Sequence, residues 1–268
     1  MYSLSYVKAA SLADAQKHIA AHPEATLLSG GMTLIPSLKQ RLAQPSHVID
    51  IGGLAELKGI EVRNKALHIG AATKHDDVAN SVVVKNVIPS LAALANQIGD
   101  PQVRNLGTLG GSVANNDPAA DYPAAVLALD ATIHTNRRDI RADDYFKGLF
   151  TTALEPGEII TGISFPQPIA HRAAYCKFPH PASGYAMTGV YVADAGDAIR
   201  VAVTGAGPGV FRWTEAEAAL AKSFSAKSIA GLSMKAEGLN ADIHASAAYR
   251  ANLVKVMATR ALESLGAV

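Results

Sequence analysis

VRNLGTLGGSVANNDPAADYP, Val103 to Pro123, sets Gly110 and Gly111 between the small residues Thr108 and Ser112. It then runs through Asn115, Asn116 and Asp117 to Asp121 before a helical pattern begins. Glycine accepts positive φ and leaves neighbouring N–H groups uncovered, so such a turn can form a nest for a phosphate. A lone Gly-Gly is also the ordinary sign of a hairpin turn between two strands. The residues that follow favour the nest: polar side chains suit a ribose or phosphate, and Ala119, Ala120, Ala124 and Ala125 leave room for a large ligand.

Working outward toward the N-terminus, a strand from Ala25 to Leu28 runs straight into Ser29-Gly30-Gly31. A helix follows, with Pro36 in its first turn and Leu34, Leu38 and Leu42 on one face. Strand, glycine turn and helix N-terminus together favour an anionic group. The GxGxxG fingerprint is absent, so a Rossmann dinucleotide site is not supported.

Elsewhere in this half, Leu4 to Val7 alternates like a strand, and Ser11 with Asp14 gives a capping-box start to a helix that ends before Pro23. HVIDI from His47 and ALHIGA from Ala66 alternate as strands. From Lys74 to Ile98 the period is helical, with Pro89 starting a helix that turns Leu91, Leu94, Ala95 and Ile98 inward. Tyr122 to Leu129 reads as a helix, Ala131 to Thr135 as a strand, and Glu158 to Phe165 as a strand stopped by Pro166 and Pro168.

That proline pair, followed by His171 and Arg172, marks a domain boundary. Beyond it come strands at Ala174 to Phe178, Ala186 to Val192 and Ile199 to Thr204, then helices. The last helix, Ser246 to Leu265, places Tyr249, Leu253, Val256 and Met257 on one face, to pack on a three-stranded sheet.

The chain has 268 residues, enough for one large domain or two modest ones. Its 24 Lys and Arg balance 23 Asp and Glu, a net charge of +1 without a basic stripe, which argues against nucleic acid and anionic membrane as partners. No run approaches membrane-spanning length and the N-terminus has no signal-peptide core, so a cytoplasmic protein is expected. One cysteine, Cys176, supports neither an internal disulfide nor a thiolate metal site, so redox chemistry here requires a cofactor.

Several clusters have plainer readings. His18 and His22 stand at metal-ligand spacing but lack a third ligand, and read as a solvated helix face. His75, Asp76 and Asp77 fit an exposed helix start better than an acid–base cluster. GAGPGV, Gly205 to Val210, fits a turn around Pro208. Cys176 reads as a small buried residue of its strand. Lys177 points to the opposite face, either to solvent or to a ligand held by the first domain. No GxSxG elbow or Cys/His pair signals nucleophilic catalysis.

The two glycine loops taken together, LLSGGMTL and TLGGSVANNDPAADYPA, resemble the FAD-pyrophosphate loops of the flavoprotein (medium) subunits of molybdenum hydroxylases, the family of carbon-monoxide and xanthine dehydrogenases. The C-terminal DIHASAAYRANLVKVMATRAL is similar to the tail of the same subunits, so the resemblance covers essentially the whole chain. It implies an α+β fold: an FAD-binding domain of the vanillyl-alcohol oxidase (PCMH) type over 1–168, with subdomains of about 1–55 and 56–168, and a C-terminal domain over 169–268. It also implies FAD contacts at Leu27, Leu28, Ser29, Gly30, Gly31, Met32, Thr33 and Leu34 in the first loop, and at Thr108, Leu109, Gly110, Gly111 and Ser112 in the second. Asp121 matches the acidic residue near the ribose, Ile98, Ile160 and Lys177 match positions lining the flavin, and Tyr185 looks like the tyrosine beside the isoalloxazine ring.

On this resemblance backbone donors in both loops hold the diphosphate, and Lys177 near the ring favours the anionic reduced flavin. Ser112 stands where an asparagine is common, a change of little weight in a loop that works through its backbone. The implied role is the electron-transfer subunit of a heterotrimer, with a small subunit bearing 2Fe-2S clusters, a large molybdopterin subunit, and a dimer of heterotrimers as the assembly. Without the cysteine-rich insert of some relatives, electrons pass directly between the partner's cluster and the flavin. A self-contained flavin oxidoreductase of the same fold, or a scaffold that has lost its flavin, are the competing readings.

Overall fold

A computed structural model describes residues 1–166 and 172–267. The boundary expected at Pro168, with His171, lies outside the described residues. Three hydrophobic cores organise the chain, each formed where alternating or helical apolar faces meet.

The N-terminal unit contains β1 (Ser5–Lys8), α1 (Leu12–Ala21), β2 (Thr26–Leu28), α2 (Leu34–Lys39) and β3 (His47–Asp50). Helical crossovers make its strands parallel, in the order β1-β3-β2. Ser11 caps α1 by accepting the Asp14 N–H, and Asp14 in turn accepts the Ala10 N–H, close to the expected capping box. Ile49 of β3 packs with Ala15, Leu54 and Leu57. Leu42 does not join this face: α2 ends at Lys39, Arg41 takes a φ of 61°, and the leucine is 75% exposed.

The central unit contains β4 (Ile60–Arg63), β5 (Ala66–Gly70), α3 (His75–Asn80), α4 (Val82–Val87), α5 (Pro89–Asn96), α6 (Pro101–Arg104), α7 (Leu109–Asn115), α8 (Tyr122–Ala128), β6 (Thr132–Thr135), β7 (Asp139–Arg141), α9 (Ala142–Tyr145), β8 (Phe146–Gly148), β9 (Thr151–Thr152) and β10 (Ile160–Pro166). Five of its strands form an antiparallel sheet in the order β4-β5-β10-β6-β7. Leu67, Ile69, Ile133, Ile163 and Phe165 enter the core, while His68, Ser164 and His134 alternate to the other face. Pro89 opens α5, whose Leu91, Leu94 and Ala95 are fully buried as the periodicity requires, with Ile98 packed behind them.

The C-terminal unit contains β11 (Arg172–Pro179), β12 (Ala186–Asp194), β13 (Ile199–Thr204), β14 (Phe211–Arg212), α10 (Thr214–Lys222), α11 (Ala226–Ile229) and α12 (Ala247–Ser264). Its antiparallel sheet has four strands, order β11-β12-β13-β14, where three were expected. The addition is two residues long and follows the Gly205–Gly209 bend, too short to show a period. Val190, Val192, Val201 and Val203 face α12 and α10, while Tyr191, Ala193 and Ala202 face the central core. Helix α8 lies against β12 and β13, so all of its residues are buried. On α12, Leu253 and Met257 are buried and Val256 is half-buried, but Tyr249 is 44% exposed and only edges onto Phe178. No helix among the described residues is long and apolar enough to cross a membrane.

Candidate FAD site

The two glycine turns, distant in sequence, abut. A Cβ on Gly30 would lie 2.1 Å from the Leu106 carbonyl oxygen and 2.7 Å from Gly107 Cα, so only glycine allows the backbones to touch. Thr108 Oγ1 donates to Ser29 Oγ at 3.1 Å across the same seam.

In the first loop, Leu27 and Leu28 are the last residues of β2, Ser29 to Met32 form the turn, Thr33 is the N-cap of α2, and Leu34 begins the helix. Gly31 has a φ of +74°, which L side chains rarely adopt. Among the described residues, no protein acceptor takes a backbone N–H from Ser29 through Thr33. Backbone N–H groups demand partners when covered, so this row suits an anionic group bringing its own oxygens.

The second loop is built differently. Its N–H groups from Leu109 to Ser112 donate to Thr73 O, Ala71 O, Thr108 Oγ1 and Thr108 O in turn, at 3.0, 2.9, 3.2 and 3.0 Å. The Thr108 hydroxyl thus caps α7, and Gly110 is glycine because a Cβ there would strike Ala71 at 2.5 Å. Leu109 is buried in the central core and Ser112 is half-buried in the first turn of the helix. Backbone donors in both loops were expected to face the ligand; here those of the second loop are engaged within the protein.

His75, expected at an exposed helix start, is 5% exposed. Gly107 packs on its ring, since a Cβ there would lie 2.6 Å from Nε2, and the His75 N–H donates to Gly107 O. Burial, reinforced by Arg104, lowers its pKa to about 4. Its Nδ1 and the nearby Tyr122 hydroxyl are buried without protein partners. The acidic companions Asp76 and Asp77 do occupy the first turn of α3.

Lys177 reaches the first domain, as one of its two readings required. Its Nζ lies 3.1 and 3.2 Å from the two carboxylate oxygens of Asp121, and donates to Gln97 O at 2.7 Å and Gly184 O at 2.8 Å. An ammonium has three donors, so this one is saturated. It ties together the segments that carry Ile98, Asp121 and Tyr185. Lys177 and Asp121 side chains are each 4% exposed, and the Tyr175 hydroxyl donates to Asp121 at 2.5 Å. Burial raises the Asp121 carboxyl pKa, and Lys177 and Tyr175 pull it back. Burial and the same carboxylate push the Tyr175 phenol well up, which keeps its proton in the hydrogen bond. Lys177 therefore acts within an ion pair, and its charge toward a ring is balanced by Asp121.

Tyr185 precedes β12, is 43% exposed, and brings its hydroxyl to Thr33 of the first loop. Ile98 is half-buried at the end of α5, where Arg104 donates to its carbonyl and to that of Gly99. Ile160 belongs to the central core and does not line the seam; the neighbouring Thr161 O accepts the Ala71 N–H, and Ala71 O holds Gly110. Sequence reasoning missed Tyr175, although its place two residues before Lys177 puts both on one strand face. It also missed Gln97 and Gly184, which act through carbonyl oxygens that no residue type advertises.

The arrangement fits an anionic ligand: a row of open donors set on a glycine seam that a Cβ would fill. Residues 2–168 match the family model of the FAD binding domain in molybdopterin dehydrogenase. Glyceraldehyde dehydrogenase medium chain of Sulfolobus acidocaldarius is 34% identical over 97% of this chain and 98% of its own. Carbon monoxide dehydrogenase from Hydrogenophaga pseudoflava superposes with a TM-score of 0.88 at 33% identity, covering 99% of this chain and 98% of that one. Quinoline 2-oxidoreductase from Pseudomonas putida 86 gives 0.88 at 28% identity, over 98% and 97%. The chain therefore belongs to the FAD-binding medium subunits of the molybdenum hydroxylases, as an oxidoreductase subunit.

Proposed function

We propose that this chain carries electrons out of a heterotrimeric molybdenum hydroxylase. It takes them from a small subunit with 2Fe-2S clusters, which a large molybdopterin subunit reduces, and passes them to an external acceptor. Bound FAD supplies the electron chemistry, which the lone Cys176 and the other side chains cannot. The chain's residues hold and orient it: Ser29 to Thr33 receive the diphosphate, Thr108 to Ser112 form the wall behind, Asp121 faces the ribose, and Ile98 and Tyr185 border the flavin. Leu27, Leu28, Leu34, Ile160 and Lys177 shape these contacts from behind.

The observation that carries the reading is the run of open N–H groups pressed against the second glycine turn. With it go the PCMH-type fold over 1–168, a C-terminal domain over 169–268, a dimer of heterotrimers, and the cytoplasm as location. Native purification tests it. A yellow chain that releases FAD and travels with an iron–sulfur and a molybdenum subunit supports the role. FAD on an isolated chain that turns over substrate unaided contradicts it.

A further inference from the structure

Tyr185 has a second neighbour. An open cavity of ≈ 340 Å³ is lined by Pro118, Ala119, Met187, Ser183, His180 and His244. Tyr185 itself forms part of its wall.

The proton positions in this wall follow from its hydrogen bonds. The Ala182 N–H donates to His180 Nδ1 at 3.2 Å, so a neutral His180 carries its proton on Nε2. That proton points at His244 Nδ1, 3.3 Å away, which places the His244 proton on Nε2. Ser183 Oγ accepts the Tyr185 N–H at 3.3 Å and keeps its own proton to donate. Two donors thus border the cavity, whose walls combine the apolar Ala119 and Met187 with Asn240 and the Asp242–Arg250 ion pair.

The same wall is poorly equipped for a dinucleotide. Arg250 is the only Lys or Arg among the described lining residues; its Nη1 and Nη2 are engaged within the protein, while its buried Nε has no protein partner. It donates to Met187 O at 2.5 Å, Gly205 O at 3.0 Å and Asp242 Oδ2 at 2.6 Å. Gly205, the glycine of the bend that lines the cavity, donates its N–H to Pro118 O and offers no donor to a phosphate there.

We propose that this cavity is the acceptor site and that it takes a quinone, an uncharged ring compound whose carbonyl oxygens accept from His244 and Ser183. The inference rests on the electron-exit reading above and adds the acceptor class to it. A quinone there gains two electrons and two protons and leaves as hydroquinone. Bound FAD would supply the two electrons and one proton, and the second proton would come from solvent through His244 Nε2.

The test uses the native complex and a photoreactive azidoquinone, followed by peptide mass spectrometry. Labelling is expected on 180–187 and 240–250, competed by the parent quinone but not by NAD. In His244→Phe and Ala119→Leu complexes with normal FAD content, labelling falls at least five-fold. The half-saturating quinone concentration for flavin reoxidation rises at least ten-fold in the same variants. Labelling elsewhere, unchanged values in both variants, or reoxidation by NAD and not by quinone overturns the proposal. A wild-type complex whose flavin is not bleached by substrate overturns the electron-exit reading instead, so the two failures are distinct.

Discussion

The two glycine turns look alike in sequence and do opposite work. From Ser29 to Thr33 the backbone donors have no acceptor among the described residues; from Leu109 to Ser112 every one is taken by Ala71, Thr73 or Thr108. One turn is open to a ligand and the other is the closed wall against which the first is set. A Gly-Gly motif therefore reports where backbone must come close, and the hydrogen-bond census tells whether it approaches a ligand or another chain segment.

The largest effect should come from the seam. Gly30→Ala puts a methyl group onto the Leu106 carbonyl, a backbone atom that cannot rotate away. FAD affinity is expected to fall at least a thousand-fold, about 4 kcal/mol, in a fluorescence titration. Retained affinity would mean that the loops need not touch. Next comes the hub on the closed side: Lys177→Met leaves the Asp121 charge buried without its cation, held by the Tyr175 hydroxyl alone, for a loss of about 3 kcal/mol in denaturant unfolding. Asp121→Asn added to it should restore part of that loss, whereas additive losses would show that the two do not act as a pair.

The brace behind the second turn gives a pH-dependent effect of similar size. Burial depresses the His75 pKa to about 4, so folding favours the neutral ring. Its contribution is complete above the ordinary value of 6.5 and is lost as pH falls through 4. Wild type should lose about 3 kcal/mol more than His75→Phe over that interval, read as the difference between their unfolding curves. Parallel curves would remove His75 from the brace. The smallest change is Thr108→Val, which deletes the cap and the Ser29 contact for about 1 kcal/mol, while Thr108→Ser should keep both.

Much of the open turn was legible because its signals are local: a strand, Ser-Gly-Gly, then a helix start. Lys177 was legible to the extent that strand alternation set it opposite Cys176. What it meets, and that Tyr175 shares its carboxylate, depends on the packing of β11 against α5 and on the place of Asp121 just before α8. The closed turn misled for the same reason, since Ala71 and Thr73 take its donors from another segment. His75 read as exposed because the first turn of a helix usually is, and its cover comes from distant segments, Gly107, which has no side chain, and the ring of Tyr122. The fourth strand of the C-terminal sheet was invisible to periodicity because two residues have none.

Amide hydrogen exchange on the native complex, stripped of FAD and then reloaded, tests the contrast between the turns most directly. Amides of residues 29–33 should exchange fast without FAD and become protected with it. Those of 109–112 should be protected in both states. Protection of 109–112 that appears only with FAD, or none gained at 29–33, would contradict the division of labour between the two turns.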